Sequence, residues 1–192
     1  MLIQDKETSS SEVSKVSATI IKTEFDTPLG SMIACAVDEG ICLLEFNDRP
    51  RLLTEYNELT TLLKAELVEG DHPLFIKLKT QLLEYFSGQR KEFDLPLCAP
   101  GTLFQKKVWE VLKTIPFGST RSYKAQAIAL GNLAAIRAVA SANGHNRIAI
   151  VIPCHRVIGE NGSLIGYGGG LWRKKWLLEH EGKFSTQFSL EF

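Results

Sequence analysis

Residues 20–25, 31–37 and 40–46 are short runs rich in apolar and β-branched side chains, separated by the turn signals Asp26-Thr-Pro-Leu-Gly30 and Asp38-Glu-Gly40. The pattern predicts a small antiparallel meander. After Pro73 the period changes: Phe75, Leu78, Leu82, Tyr85 and Phe86 share one helical face, and Gly88 follows the last of them. Strands followed by a helix make an α/β unit. Residues 93–100 are extended and bounded by proline, and form the best boundary before a second unit.

Beyond that boundary the spacing is helical. Thr102 and Gln105 have the separation of a capping box, with Phe104, Val108, Val111, Leu112 and Ile115 at helical spacing until Pro116 and Gly118. Ser122 is placed to cap a second helix that runs to Leu130. Gly131 makes a turn, Asn132 is the next candidate cap, and a third helix is expected over residues 133–143. Two short helices joined at a glycine fit a helix-turn-helix, and equally an ordinary αα-hairpin. In the third helix Leu133, Ile136 and Val139 are assigned to the core. Ala134, Arg137, Ala138 and Ser141 then face outward, a smooth surface with one long cation. Such a face suits close backbone or minor-groove contact with an inserted Arg137 better than major-groove reading. A solvated arginine is the plain alternative. Residues 148–152 are all apolar and predict a buried strand stopped by Pro153.

The expected organisation is a mobile polar tail (1–17), an α/β N-terminal domain of a small antiparallel sheet plus helix (18–98), and a mainly helical C-terminal domain with a helix-turn-helix (99–192). With 44% hydrophobic and 23% charged residues the chain falls in the soluble globular class. No apolar run has the length of a membrane span and the N-terminus lacks a signal-peptide pattern, so a cytoplasmic protein is expected. Cys35, Cys42, Cys98 and Cys154 show no CxxC spacing, which argues against a disulfide framework or zinc ribbon, and no metal is expected. A set of Cys35 or Cys42 with His72 matches no strong metal pattern. The formal net charge is zero, yet residues 1–100 hold 10 Lys+Arg against 17 Asp+Glu and residues 101–192 hold 12 against 5. A basic half is the footprint of a nucleic-acid surface or, more blandly, a solvated face.

Chemistry concentrates where the apolar run stops: Cys154, His155 and Arg156 follow Pro153 directly. A nucleophilic site needs a thiol held beside a base, although a Cys-His pair alone does not define one. The glycine run 166–170 lacks the Gly-Lys-Ser/Thr of a phosphate loop.

Val151-Ile-Pro-Cys-His-Arg-Val-Ile158 resembles the active-site signature of the O6-alkylguanine-DNA alkyltransferases, the methylated-DNA-protein-cysteine methyltransferases. Tyr123 after Pro-Phe-Gly, Arg137-Ala-Val, Asn146, Gly166-Tyr-Gly-Gly-Gly-Leu171 and Trp176-Leu-Leu-Glu-His-Glu-Gly182 occur in the family's order. The resemblance covers about residues 102–183, and Thr27-Pro-Leu-Gly30 is similar to the family's N-terminal domain. It implies that Cys154 accepts the alkyl group, that His155 removes its proton through a water, and that Glu181 holds His155. It further implies that Asn146 fixes the turn and that Tyr123 donates a proton toward the guanine. Ser122, Ala134, Ala135, Arg137 and Ala138 would face DNA, with Arg137 filling the stack left by a flipped base. Val157, Tyr167 and Gly168 would line the base pocket. The implied partner is double-stranded DNA bearing O6-alkylguanine, bound by a monomer that acts once and needs no cofactor; O4-alkylthymine is a further substrate to test.

Two positions depart from the pattern: Arg147, where proline often follows the asparagine, and Gly168, where a polar side chain is found in some members. Gly168 removes a side-chain contact and is expected to enlarge the pocket. Competing classes are damage-recognition proteins of this type, which carry tryptophan at the cysteine position, and regulators that fuse this domain to a cysteine-rich zinc segment. A cysteine protease would bring its histidine from far along the chain.

Overall fold

The computed structural model describes residues 18–185; the tail expected over residues 1–17 lies outside them. β1 (Ala18–Thr27), β2 (Gly30–Val37) and β3 (Gly40–Phe46) form the antiparallel meander. Sequence reasoning assigned no element to residues 47–72. The chain there forms α1 (Leu52–Leu63) and β4 (Ala65–Glu69), and β4 pairs parallel with β1. The sheet is therefore mixed, in the order β3-β2-β1-β4. A helical crossover is the usual way to bring a strand alongside a parallel partner.

Both faces of the sheet are covered, which explains why β3 is buried along its whole length. One face packs Ile20, Ile33, Cys35, Cys42 and Leu43 against Leu52 and Leu59 of α1. The other carries Met32, Ala34, Leu44 and Phe46 into the main core, where α2 (Pro73–Phe86) contributes Phe75, Leu78, Leu82 and Tyr85. Cys35 and Cys42 are thus packing residues, and His72 caps α2 by accepting from the Leu74 amide. Residues 96–98 are zipped to the start of β3: Ile41 N donates to Pro96 O and Cys98 N to Ile41 O.

The second half is α3 (Leu103–Lys113), β5 (Arg121–Ser122), α4 (Tyr123–Ala129), α5 (Ile136–Gly144), β6 (Val157–Ile158) and α6 (Leu171–Ser185). Thr102 and Gln105 form both bonds of the capping box, and the Ser122 hydroxyl accepts from the Ala125 amide to cap α4. Two expectations change. The third helix opens with a 3-10 turn over Leu133–Ala135, uncapped by the Asn132 side chain, and leaves Leu133 half exposed. Residues 148–152 are a compact turn rather than a strand, bridged to β3 between Leu44 and Ile148. Uniform burial reads the same from sequence for either geometry, because periodicity is lost when every side chain points inward. Among the described residues no helix is long and apolar enough to cross a membrane.

Candidate active site

The 148–152 turn exists because Asn146 ties it. The Asn146 Oδ1 accepts from the Ile148 amide, and its Nδ2 donates to Ile152 O at 2.8 Å and to the Cys154 Sγ at 3.2 Å. Ile150 is held at φ 69°, a left-handed conformation that a β-branched residue adopts only when its surroundings impose it. Pro153 then leads into a 3-10 turn formed by Cys154–Arg156.

All three residues of that turn are buried, and His155 is wholly so. Its Nε2 lies 2.8 Å from Glu181 Oε1 on α6, while its Nδ1 is buried with no hydrogen-bond partner among the described residues. The carboxylate fixes the tautomer: Nε2 carries the proton and Nδ1 is left as an acceptor. Glu181 is itself surrounded by donors. Tyr85 Oη approaches Oε1 at 2.8 Å, Arg156 grips both oxygens at 2.9 and 3.0 Å, and the Gly118 amide reaches Oε2 at 3.0 Å. Gly118 makes that approach at φ 73°, where a Cβ would strike Ser185.

The electrostatics follow from burial opposed by partners. Burial drives the Glu181 carboxyl up, but His155 and Arg156 together outweigh it and hold the group well below the usual carboxylate range. Burial pushes the His155 imidazole down, against the pull of Glu181, so the ring rests neutral. Burial raises the Cys154 thiol, which the Asn146 amide, Arg49 and Lys174 oppose. The resting pair is thus a neutral thiol near a neutral imidazole whose free nitrogen can take a proton.

The remaining sequence-derived residues are divided between a surface cleft and the interior. Tyr123 heads α4, with its hydroxyl 3.2 Å from both Ile165 O and Gly166 O, and burial lifts its pKa to about 12. Tyr123, Arg137 and Gly166 border one cleft of about 380 Å3 with Ile136, Ala140 and Ile165. Arg137, Ala134 and Ala138 are exposed on the adjoining helix surface, whereas Ala135 is half-buried and Ser122 serves as the α4 cap. Val157 is fully buried in the core and pairs with Arg121. Tyr167 packs edge-on to His155, its hydroxyl buried and without a hydrogen-bond partner among the described residues. Gly168 corrects the expectation of a wider pocket: a Cβ there would lie 2.8 Å from Arg49 Cζ, so the space is already filled. Arg147 is equally occupied, donating to Pro100 O and to Glu58 Oε2 of α1 at 2.5 Å.

Sequence reasoning missed three contributors. Tyr85 looked like one more member of the apolar stripe of α2, and a hydroxyl among phenylalanines and leucines was the only signal. Lys174 sits in an Arg-Lys-Lys run that reads as solvated charge, yet its ammonium is buried against Val157 O and Ile165 O, both at 2.5 Å, and burial lowers its pKa to about 8. Arg49 lies in a polar loop after β3 with nothing nearby in sequence to mark it.

Residues 103–183 match the profile described as 6-O-methylguanine DNA methyltransferase, DNA binding domain, and residues 20–99 match its ribonuclease-like domain. The methylated-DNA–protein-cysteine methyltransferase of Methanosarcina acetivorans is 41% identical over 158 residues, 82% of this chain and 96% of that protein. The Shigella flexneri protein of the same name is 53% identical over 172 residues, 85% of this chain and 96% of its own. Among solved structures, Mycobacterium tuberculosis OGT in complex with DNA superposes with a TM-score of 0.73 at 40% identity, covering 85% of this chain and 94% of that one. The profile matches, the full-length relatives and the shared fold agree, and the chain belongs to the 6-O-methylguanine DNA methyltransferase family.

Proposed function

We propose that this protein repairs DNA directly, moving the alkyl group from O6 of a guanine to the Cys154 sulfur, with the damaged base turned out of the duplex. The observation that carries this reading is the arrangement of Asn146 on the Cys154 sulfur beside a neutral His155 anchored by Glu181. His155 Nδ1, through one water, accepts the thiol proton. The thiolate forms a carbon–sulfur bond to the alkyl carbon as the carbon–O6 bond breaks, and the electron pair leaves with the guanine. Tyr123, on the cleft wall, supplies a proton to the departing ring, and the positive charge gained by His155 is stabilised by Glu181.

A thioether has no leaving group that water displaces at neutral pH, so each molecule reacts once, and the alkyl donor is the DNA itself; the proposed reacting species is a monomer. Arg137, exposed beside the cleft that holds Tyr123, fills the gap left by the extruded base. The match to a DNA-binding domain and the likeness to an enzyme solved with DNA support that partner. The test is nucleoside analysis of duplex DNA containing O6-methylguanine before and after incubation. Loss of the modified nucleoside with equal gain of deoxyguanosine, and no strand break or abasic site, is expected; release of a free base would contradict direct transfer. A parallel duplex with O4-methylthymine defines the substrate range.

A further inference from the structure

Arg49 lies in the loop after β3, far in sequence from the Cys154 turn, and is 7% exposed. Its guanidinium leaves the sheet unit and enters the second half of the chain. One nitrogen, Nη1, contacts the Glu45 carboxylate and Asn146 O at 3.3 Å; the other, Nη2, contacts Gly144 O at 2.7 Å and Glu55 Oε1 at 3.2 Å. The two carbonyls are those of the segment from which the Asn146 side chain reaches the Cys154 sulfur.

The same group decides what position 168 can be. A Cβ on Gly168 would lie 2.8, 2.9 and 3.1 Å from Arg49 Cζ, Nη2 and Nη1. A guanidinium at the end of a free side chain would swing aside. This one is held by two carboxylates and two carbonyls, so the loop must give instead. A Cβ on Gly169 would likewise lie 2.7 Å from Cδ2 of Phe46, the last residue of β3. The glycine loop that carries Tyr167 is therefore moulded against the sheet unit, and Arg49 joins that loop to the Asn146 turn.

We propose that Arg49 is a positioning residue for alkyl transfer: by gripping Gly144 and Asn146 and filling the space beside Gly168, it sets both the Cys154 turn and the glycine loop. The proposal rests on the assignment of Cys154 as acceptor. Stability alone does not account for such a group, because a buried ion pair is often no more stabilising than well-packed apolar side chains. A planar fork that binds two carbonyls at fixed angles does define geometry.

The test combines Arg49→Met, Arg49→Lys, Arg49→Ala, Gly168→Ala and the Arg49→Ala/Gly168→Ala double variant, each checked by thermal melting. Arg49→Met should slow transfer from free O6-methylguanine base and from duplex by the same factor, about 10- to 100-fold, as expected for a misplaced reacting group. Alkylation of Cys154 by iodoacetamide should shift to higher pH in Arg49→Met and remain at the parent position in Arg49→Lys. Lys174, Tyr123 and Tyr167 also bear on that thiol and are unchanged in every variant. Gly168→Ala should slow transfer in the parent but cost little in the Arg49→Ala background, where the clash is gone. Multiplicative losses in that double variant, or an Arg49→Met profile identical to the parent, would overturn the proposal. If the parent itself forms no adduct at Cys154, the functional assignment fails, while the iodoacetamide profile still decides whether Arg49 acts on the thiol.

Discussion

The Tyr85 hydroxyl and the His155 imidazole both meet Glu181 at Oε1, each at 2.8 Å, so a residue of α2 in the first half and the turn beside Cys154 share one carboxylate oxygen. Arg156 and the Gly118 amide complete the ring of donors. Glu181 is at once the anchor of the histidine and the counter-ion of a buried arginine.

Replacing Glu181 with Gln should accordingly affect both stability and rate. Leaving Arg156 buried without its counter-ion should cost about 3–5 kcal/mol in urea denaturation, the range for breaking a buried pair by removing one partner. Transfer should slow more than DNA affinity falls. In a cycle with His155→Ala, the double loss should be far smaller than the product of the single losses, as expected of two residues that act as a unit. Independent effects would argue against the relay.

The pH dependence has a defined sign. Glu181 is held below its ordinary 4.5, so the stability it contributes is complete above that value and is lost as pH falls toward its lowered folded value. His155 is held below 6.5, which again favours the folded state at high pH and is lost on acidification. Glu55, raised by burial, works in the opposite direction, so the comparison that isolates Glu181 is parent against Glu181→Gln. Made in a His155→Ala background, where a further drop of the imidazole cannot offset it, that comparison should show the Glu181→Gln protein losing less stability as pH falls below 4.5. The acid limb of the transfer rate should have its midpoint below 6.5 in the parent and move lower still in the single Glu181→Gln variant, because Glu181 pulls the imidazole upward. A limb above 6.5 would contradict a neutral resting His155.

Asn146→Ala removes four ties across the 148–152 turn, to Ile148 N, Ile148 O, Ile152 O and the Cys154 sulfur. With Ile150 already held at φ 69°, the turn should loosen. A loss of about 1–3 kcal/mol in stability, as for buried polar groups left unsatisfied, should accompany faster amide exchange at residues 148–152. Unchanged exchange there would show that packing alone holds the turn.

Much of this was legible in the sequence, for reasons tied to particular residues. The meander and the Thr102 and Ser122 caps are local features, and local chemistry dictates them. The Cys154–Arg156 cluster was marked by reactive side chains at the end of an apolar run, and Glu181 by its place in a family motif. What was hidden is non-local. The 148–152 turn reads as a strand because its shape comes from the Asn146 side chain and not from the period of its own residues. Arg49, Tyr85 and Lys174 are ordinary in their sequence neighbourhoods and become part of the site only when the sheet unit packs against the helical half. Gly168 read as an opening, since nothing near it in the chain shows that Arg49 fills the space.

Arg137 separates two modes of DNA contact. An arginine that only grips phosphate, changed to Ala, lowers affinity equally for damaged and undamaged duplex and reduces the salt slope by about one contact. A finger that fills the vacated stack slows repair in duplex, where extrusion costs roughly a few kcal/mol, and leaves reaction with free O6-methylguanine base nearly unchanged. The exposed side chain beside the Tyr123 cleft predicts the second result. Equal proportional losses on duplex and free base would rule out the finger and point to damage in the Cys154 pocket.

The central claim is that Cys154 takes the alkyl group, once. Intact-protein mass spectrometry after reaction with excess duplex containing O6-methylguanine, followed by peptide mapping, reads stoichiometry and position together. The account predicts a single added methyl per protein, located on Cys154, with no further turnover and no adduct in a Cys154→Ala variant. Demethylation that continues beyond one equivalent, or a methyl mapped to Cys35, Cys42 or Cys98, would contradict it.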